Sequence, residues 1–236
     1  MTFDDAQSVQ QQYAREDNLR ARQALWANVE GENAPVVLWR ILSDLQPKTV
    51  LEVGGGQGEL AERMQSELGA RVTFLDQSQR MVELARARGI DDAHVGDAQQ
   101  LPFESESFDT VVAAWMLYHV PDVDRALGEF ARVLEPGGRL VAVTNSVRHI
   151  EELRDVFGAV LPGFERVFNA ENGEQILHRH FEAVTRVDVE VAAIVDDREL
   201  LVAYQRSLSY DTGPLPDDFP LPFRVHGRTT IFVATT

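Results

Sequence analysis

Residues 50–58 read Val-Leu-Glu-Val-Gly-Gly-Gly-Gln-Gly, an apolar strand that runs directly into a glycine-rich turn. Glycines let the backbone approach a ligand closely, and the helix that follows offers free N–H donors at its start. A dinucleotide fingerprint requires glycine at the sixth position from Gly54, where Glu59 stands, and the Gly-Lys-Ser/Thr ending of a phosphate-binding loop is absent. The turn is therefore suited to close ligand contact but lacks both pyrophosphate signatures.

Strands and helices alternate on the C-terminal side of this turn. Short apolar runs are separated by stretches whose apolar residues recur at helical spacing, as in Leu60, Met64 and Leu68. This alternation predicts a mostly parallel sheet that is covered by helices on both faces. We expect a doubly wound, Rossmann-like α/β fold with seven strands, of which the last is antiparallel. The predicted strands of the parallel part are 49–53, 71–75, 93–95, 108–114 and 140–143.

The whole chain, residues 1–236, is predicted to form a single domain. Residues 1–46 are expected to form an N-terminal helical cap, residues 48–145 the ligand-binding core, and residues 146–236 a C-terminal half. The segment at about 196–223 is rich in proline, and we expect it to form a lid over the site.

Local patterns add finer predictions. The sequence Glu-Pro-Gly-Gly at 135–138 predicts a turn, and residues 171–179 are predicted to form a helix. Ser78 is predicted to cap the helix after the second strand. The buried faces of two helices are predicted at Val36, Val37, Ile41, Leu42 and Leu45, and at Met81, Leu84 and Ala85.

Composition narrows the classes of function. The formal net charge is -16 and the chain contains no cysteine. An acidic chain repels phosphate backbones at long range, so a nucleic-acid partner is disfavoured, and the lack of cysteine excludes disulfides and thiolate sites. No apolar run approaches the ~20 residues of a membrane span, and the polar N-terminus is unlike a targeting segment. We expect a cytoplasmic protein with no membrane partner.

Four stretches, in order along the chain, resemble class I S-adenosylmethionine-dependent methyltransferases. Glu52–Gly58 is similar to the family's first motif, an acidic residue followed by x-Gly-x-Gly-x-Gly, although Gly55 stands where Cys or Ala is common. Asp76 closes the second strand, where the family places an acid against the ribose hydroxyls. Gly96-Asp97-Ala98 follows the third strand, where the family's Asp meets the adenine amino group. The fourth and fifth strands of the family's small-molecule branch are similar to three further stretches, Phe108–Val112, Leu117–Val120 and Leu134–Gly138. The whole resemblance covers about residues 48–145.

The resemblance implies that S-adenosyl-L-methionine is the methyl donor, that S-adenosyl-L-homocysteine is the product, and that a small molecule is the acceptor. The accepting atom would be an oxygen, nitrogen or carbon nucleophile. Ionised carboxylates only accept hydrogen bonds, which suits ribose hydroxyls and an exocyclic amine. The sulfonium is cationic, so Glu52 and an aromatic face from Tyr13 or Trp115 are suited to stabilise it. The predicted donor-binding residues are Tyr13, Glu52, Gly54, Gly55, Gly56, Gly58, Asp76, Gln77, Met81, Asp97, Ala98, Gln99, Ala114 and Trp115.

His119 lies just past the fourth predicted strand, on the edge where ligands bind. Two readings stay open for it, a general base on the acceptor or a structural residue beside the donor. No His, Asp or Glu cluster shows convincing metal-ligand spacing, so we expect a mechanism without a metal.

Other functions are weighed against this one. A nucleic-acid methyltransferase predicts a basic groove and often Asn/Asp-Pro-Pro-Tyr/Phe after the fourth strand, where residues 114–117 read Ala-Trp-Met-Leu. A non-catalytic module that keeps the donor pocket is left open by the sequence. A nicotinamide-dependent oxidoreductase is opposed by the glycine spacing.

Overall fold

The computed structural model describes residues 24–27, 29–158, 164–208 and 212–236. Their strands are β1 (Val29–Glu30), β2 (Thr49–Val53), β3 (Arg71–Asp76), β4 (Ala93–Val95), β5 (Phe108–Ala114), β6 (Leu134–Asn145), β7 (Ala183–Val195) and β8 (Phe223–Thr235). Their helices are α1 (Ala34–Leu45), α2 (Glu59–Leu68), α3 (Gln79–Ala87), α4 (Val123–Val133), α5 (Glu151–Phe157), α6 (Gly173–Leu177) and α7 (Arg198–Ser207), with a 3₁₀ turn at Leu117–His119.

The strands form a single sheet in the order β1-β7-β8-β6-β5-β2-β3-β4. Pairing is parallel from β4 through β3, β2 and β5 to β6, and antiparallel where β6 meets β8, β8 meets β7 and β7 meets β1. The chain leaves β2 toward β3 on one side and later returns to β5 on the other. This reversal is a topological switch point, whose crevice lies at the carboxyl ends of β2 and β5.

Successive residues of a strand point to opposite faces of the sheet, and in the parallel strands the residues on both faces are apolar. Helices therefore pack on both faces. On one face Leu51 and Val111 pack with α4 residues such as Phe130. On the other face Val50 and Val112 pack with residues of α1, α2 and α3. The doubly wound α/β prediction is confirmed, and β1 adds a short eighth strand that the sequence did not predict.

The antiparallel strands reach beyond the parallel ones. β6 ends at Asn145, opposite Thr229, whereas β8 continues to Phe223 and pairs there with Val195 of β7. This overhang carries its own apolar cluster, which joins α5 and α7 to the ends of β7 and β8. We call this cluster the cap core; its buried members are Leu25, Ile150, Leu153, Phe157, Ala193, Val195, Leu201, Tyr204, Leu215 and Val225.

Local predictions at the helices needed correction. In α1, Asn33 caps the first turn and Pro35 fits at its start, but Val36 is exposed because the buried face is Ala34, Val37, Leu38 and Leu42. In α3, Val82 takes the buried place predicted for Leu84, which is half-buried. Ser78 is the N-cap residue of α3, but its side chain makes no capping hydrogen bond.

Two predicted boundaries also changed. The Glu-Pro-Gly-Gly stretch lies inside β6, where the pairing with β5 shifts register between Phe108 and Thr110, so it is an irregularity in a strand instead of a separate turn. The helix predicted over 171–179 is shorter, spanning Gly173–Leu177. Among the described residues no helix combines the length and apolar character that crossing a membrane requires.

Candidate functional site

The glycine turn at the carboxyl end of β2 exposes its backbone at one point. Gly54 and Gly56 have φ values of +66° and +59°, which a side chain disfavours. The Gly54 N–H donates to the Leu75 carbonyl at 2.7 Å and so ties the turn to β3. A Cβ placed on Gly56 would meet nothing within 4 Å, so the open side of the turn lies there.

Neighbouring glycines serve close packing instead. A Cβ on Gly54 would lie 2.8 Å from the Cβ of Met116, and one on Gly58 would lie 3.0 Å from the backbone of Ala85 in α3. Such distances leave no room for a side chain. The turn therefore packs against Met116 at Gly54 and against α3 at Gly58, and only Gly56 of these three glycines has open space beside it.

Glu52 lies beneath the turn with only 1% of its surface exposed. Burial raises the pKa of this carboxyl to about 8, against an opposing hydrogen bond from the Ala61 amide, and nearby Asp76 raises it further. Its Oε2 meets no hydrogen-bond partner among the described residues. A Cβ on Gly55 would lie 2.5 Å from the Glu52 Cδ, so this glycine is required by the buried acid below it.

Asp76 ends β3 beside the turn and is also buried. Its Oδ1 accepts a hydrogen bond from the Ser78 amide at 2.8 Å. Burial raises the pKa of Asp76 to about 6, although the backbone amides of Ser78 and Gly56 stabilise its charged form. Asp76 thus touches the open position of the glycine turn directly.

Asp97 lies after β4 and is exposed. Its Oδ1 accepts from the Gln99 amide at 2.9 Å, and the Gln99 side-chain nitrogen lies 3.0 Å from the same oxygen. Ala98 is buried between them, and the Gln99 side chain also accepts from the Asp122 amide at 3.1 Å. The predicted Gln77 is exposed, whereas Met81 is buried in α3.

At the end of β5, Trp115 has a left-handed backbone with φ +55°. Its backbone N–H donates to the Val143 carbonyl at 2.9 Å, and its indole N–H donates to Asn145 Oδ1 at 3.3 Å. The preceding Ala114 is half-buried. Asn145 was not predicted as a site residue, because nothing in the sequence pairs it with a tryptophan thirty positions earlier.

His119 closes the 3₁₀ turn after β5, and its ring lies 4.5 Å from that of Tyr118, centroid to centroid. This position is compatible with either role considered for it. His180, three residues after the end of α6, pairs with Asp124 of α4 at 2.9 Å in a surface contact. The described residues contain no group of three or more His, Asp or Glu side chains arranged to hold a metal ion.

The structure thus gathers most of the predicted donor-binding residues along the carboxyl edge of β2, β3, β4 and β5. Tyr13 lies outside the described residues. Fold and site together define a doubly wound α/β protein with a ligand crevice at its switch point. The bare backbone and acids in that crevice suit a ligand with hydroxyl and amine donors.

Comparison with known proteins identifies a methyltransferase domain within the chain. Residues 51–142 match the family model described as a methyltransferase domain. Methyltransferase GfsG of Streptomyces halstedii is 36% identical over 153 residues, which cover 62% of this chain and 54% of that protein. The ubiquinone/menaquinone biosynthesis C-methyltransferase UbiE of Brucella abortus is 35% identical over 131 residues, covering 52% and 49%.

The same fold occurs in phosphoethanolamine N-methyltransferase 2 of Haemonchus contortus, solved with phosphomonomethylethanolamine and S-adenosylhomocysteine. That structure matches with a TM-score of 0.65 at 20% identity, covering 100% of this chain and 60% of that chain. Residues 51–142 therefore match a methyltransferase domain, and over that region the predicted resemblance to class I S-adenosylmethionine-dependent methyltransferases is confirmed. It spans about half the length of the curated relatives it matches.

Proposed function

We propose that this chain is an enzyme that transfers a methyl group from S-adenosyl-L-methionine to a small-molecule acceptor. The observation that carries the proposal is the pair of buried acids, Glu52 and Asp76, beside Gly56, the glycine of the turn whose backbone is open. The match of residues 51–142 to a methyltransferase domain and a neighbour solved with S-adenosylhomocysteine support the same donor.

The residues fit this donor. Gly56 leaves room for a ligand atom against the backbone, and Asp76 beside it supplies carboxylate oxygens for ribose hydroxyls. The Oε2 of Glu52 has no hydrogen-bond partner among the described residues, and this carboxyl would face the cationic end of the donor and ionise as the donor binds. Asp97 and Gln99, at the end of β4, supply acceptors and an amide for the adenine edge.

The donor brings an activated methyl group on a positively charged sulfur. The protein's part is therefore alignment of the acceptor nucleophile and exclusion of water, which contributes about 7–11 kcal/mol when geometry is good. The cap core over the carboxyl edge is placed to close the acceptor side, and we propose that residues 196–223 act with it as the lid. His119 is one candidate for removing the acceptor's proton.

A small acceptor is favoured over nucleic acid by the net charge of -16, which repels phosphate backbones. The curated relatives named above are likewise methyltransferases, one of them in quinone biosynthesis. We propose a cytoplasmic location, which fractionation of the native host would test. A protein that binds the donor without transferring its methyl group would bind S-adenosylhomocysteine but leave every acceptor in a panel unmethylated.

Calorimetry on Asp76→Ala tests the donor placement. Loss of the charged hydrogen bonds should weaken S-adenosylhomocysteine binding by about 1–3 kcal/mol, or roughly 5- to 150-fold. The matched control is Asp124→Ala, which removes an aspartate that pairs with Arg179 and His180 on the surface and should leave affinity unchanged. Equal affinities in the two folded variants would refute the ribose site at Asp76.

A further inference from the structure

The carboxyl ends of β5 and β6 meet β8 in a side-chain arrangement that borders the predicted donor site at Trp115. Asn145 Oδ1 accepts hydrogen bonds from the Trp115 indole at 3.3 Å and from the Thr229 hydroxyl at 3.0 Å. An indole N–H can only donate, so the atom it meets on Asn145 is the carbonyl oxygen. The amide nitrogen of Asn145 then points to the other side, where it meets no acceptor among the described residues.

Trp115 is held in this position against its backbone preference. A non-glycine residue with φ +55° is strained, and the surrounding structure must offset that strain. The next residue, Met116, lies so close to Gly54 that a Cβ there would come within 2.8 Å of it. Trp115 and Asn145 therefore stand at the border of the glycine turn, on the side of β6 and β8.

The same face of β8 continues as an aromatic wall. Gly227, two residues before Thr229, is covered by Trp26, whose ring would lie 2.8 Å from an added Cβ. His149 lies 5.5 Å from the Trp26 ring, and burial lowers its pKa to about 4, so it is neutral near pH 7. Indole, imidazole and amide groups thus face this region, and the positive charge of the neighbouring Arg228 is paired with Glu151 and Glu190.

We propose that Asn145 binds the methyl acceptor through its amide nitrogen, and that the acceptor is a flat, mostly apolar molecule with a carbonyl oxygen. The inference rests on the proposed function, because it takes the donor to lie at the glycine turn. A neutral amide donor suits a carbonyl oxygen, and indole faces suit flat rings. A phosphate or carboxylate would instead require a cationic partner.

Two probes isolate this contact. 2-Acetylnaphthalene and 2-ethylnaphthalene have the same carbon skeleton and differ by one carbonyl oxygen. Each is titrated by calorimetry into protein saturated with S-adenosylhomocysteine. The wild type should bind the ketone about tenfold more tightly than the hydrocarbon, as one well-placed hydrogen bond allows.

Asn145→Asp is the decisive variant. It keeps the oxygen that Trp115 and Thr229 require, but it replaces the amide nitrogen with an oxygen that repels a carbonyl. The tenfold preference should disappear, while affinities for S-adenosylhomocysteine and 2-ethylnaphthalene stay at wild-type values. Gln65→Glu, the same exchange of amide for carboxylate in α2, should retain the preference.

The outcomes separate the two claims. A retained preference in Asn145→Asp, or no preference in the wild type, with S-adenosylhomocysteine bound in both, overturns the acceptor role of Asn145 alone. Failure of the wild type to bind S-adenosylhomocysteine overturns the proposed function, and the acceptor role with it.

Discussion

The parallel and antiparallel halves of the sheet build their parts of the site in different ways. Between β2 and β5 the turn at Gly54–Gly58 and the strand-end acids act through backbone geometry and burial. Between β6 and β8 the surface depends on side chains distant in sequence, such as Asn145 with Thr229 and Trp26 over Gly227. We call the parallel part, where the donor is proposed to bind, the donor half, and the antiparallel part the acceptor half. Local motifs determine the donor half, whereas the acceptor half depends on how β7, β8 and α5 pack.

If the halves are separable, damage to the cap core should lower stability without changing donor affinity. Leu201 is fully buried in that core, and Leu201→Ala should cost about 2–5 kcal/mol of unfolding free energy. Its neighbour Val202 is half-buried, so Val202→Ala should cost less. Denaturant unfolding gives the stability, and calorimetry on the folded fraction should give unchanged S-adenosylhomocysteine affinity. A parallel loss of affinity in Leu201→Ala would show that the halves are coupled.

The converse experiment adds a side chain at the open backbone position of the donor half, which should remove donor binding. Gly56→Val should weaken S-adenosylhomocysteine binding at least 100-fold, about 2.7 kcal/mol, because its side chain occupies the space left for the ligand. Gly69 offers a matched control, since it has φ +68° and an equally open Cβ position at the end of α2. Both valines should cost similar stability, and only the first should lose binding. Comparable binding by both would place the ligand elsewhere.

A substitution at Gly55 tests how closely the buried Glu52 carboxyl packs beneath the turn. Gly55→Ala introduces a residue common at this place in the family, but its Cβ would lie 2.5 Å from Glu52 and 2.6 Å from Phe74. We expect a loss of about 1–3 kcal/mol by overpacking, measured by thermal or denaturant unfolding. Gly128→Ala in α4 has room, with its nearest neighbour at 4.0 Å, and should be neutral or stabilising. A stable Gly55→Ala would contradict the described position of the Glu52 carboxyl.

The smallest expected effect is a pH dependence of donor binding. Burial holds the pKa of Glu52 at about 8 and of Asp76 at about 6, so in the ligand-free protein Glu52 is mostly protonated at pH 7 and Asp76 becomes protonated below pH 6. Both pKa values are higher in the folded protein than in the unfolded chain, where they are near 4. The contribution of the protonated acids to folding stability is therefore complete below pH 4 and is lost as the pH rises through 6 for Asp76 and 8 for Glu52.

A cationic donor favours the ionised acids, so binding should release protons and S-adenosylmethionine affinity should rise from pH 6 to 8. Between pH 7 and 8 the rise should be at most about tenfold, because the single proton of Glu52 is then involved. Glu52→Gln should flatten it. Calorimetry in buffers of different ionisation enthalpy measures the released protons, and a flat wild-type profile would argue against ligand contact with these acids.

Sequence patterns predicted the strands and the glycine turn of the parallel half well because each of these parts is local. A strand end, a glycine spacing and an acid at the end of β3 can be recognised without knowing what packs against them. The close approach of Gly55 to Glu52 was not predictable, since the absence of the Cys or Ala common at this place became a steric requirement only once Glu52 and Phe74 were located.

The acceptor half gave weaker signals. The lengths of β7 and β8, the short β1 and the contact between Trp115 and Asn145 arise from pairing across the sheet. Val36 and Leu84 were misplaced for a similar reason, because helical spacing gives a stripe but not the exact rotation of that stripe toward the sheet.

Calorimetric titration of the wild-type protein with S-adenosylhomocysteine, and separately with NAD, tests the central claim most directly. The bare backbone at Gly56 between buried acids predicts saturable, one-to-one binding of S-adenosylhomocysteine and no heat of binding with NAD. Saturable binding of NAD with no response to S-adenosylhomocysteine would contradict it.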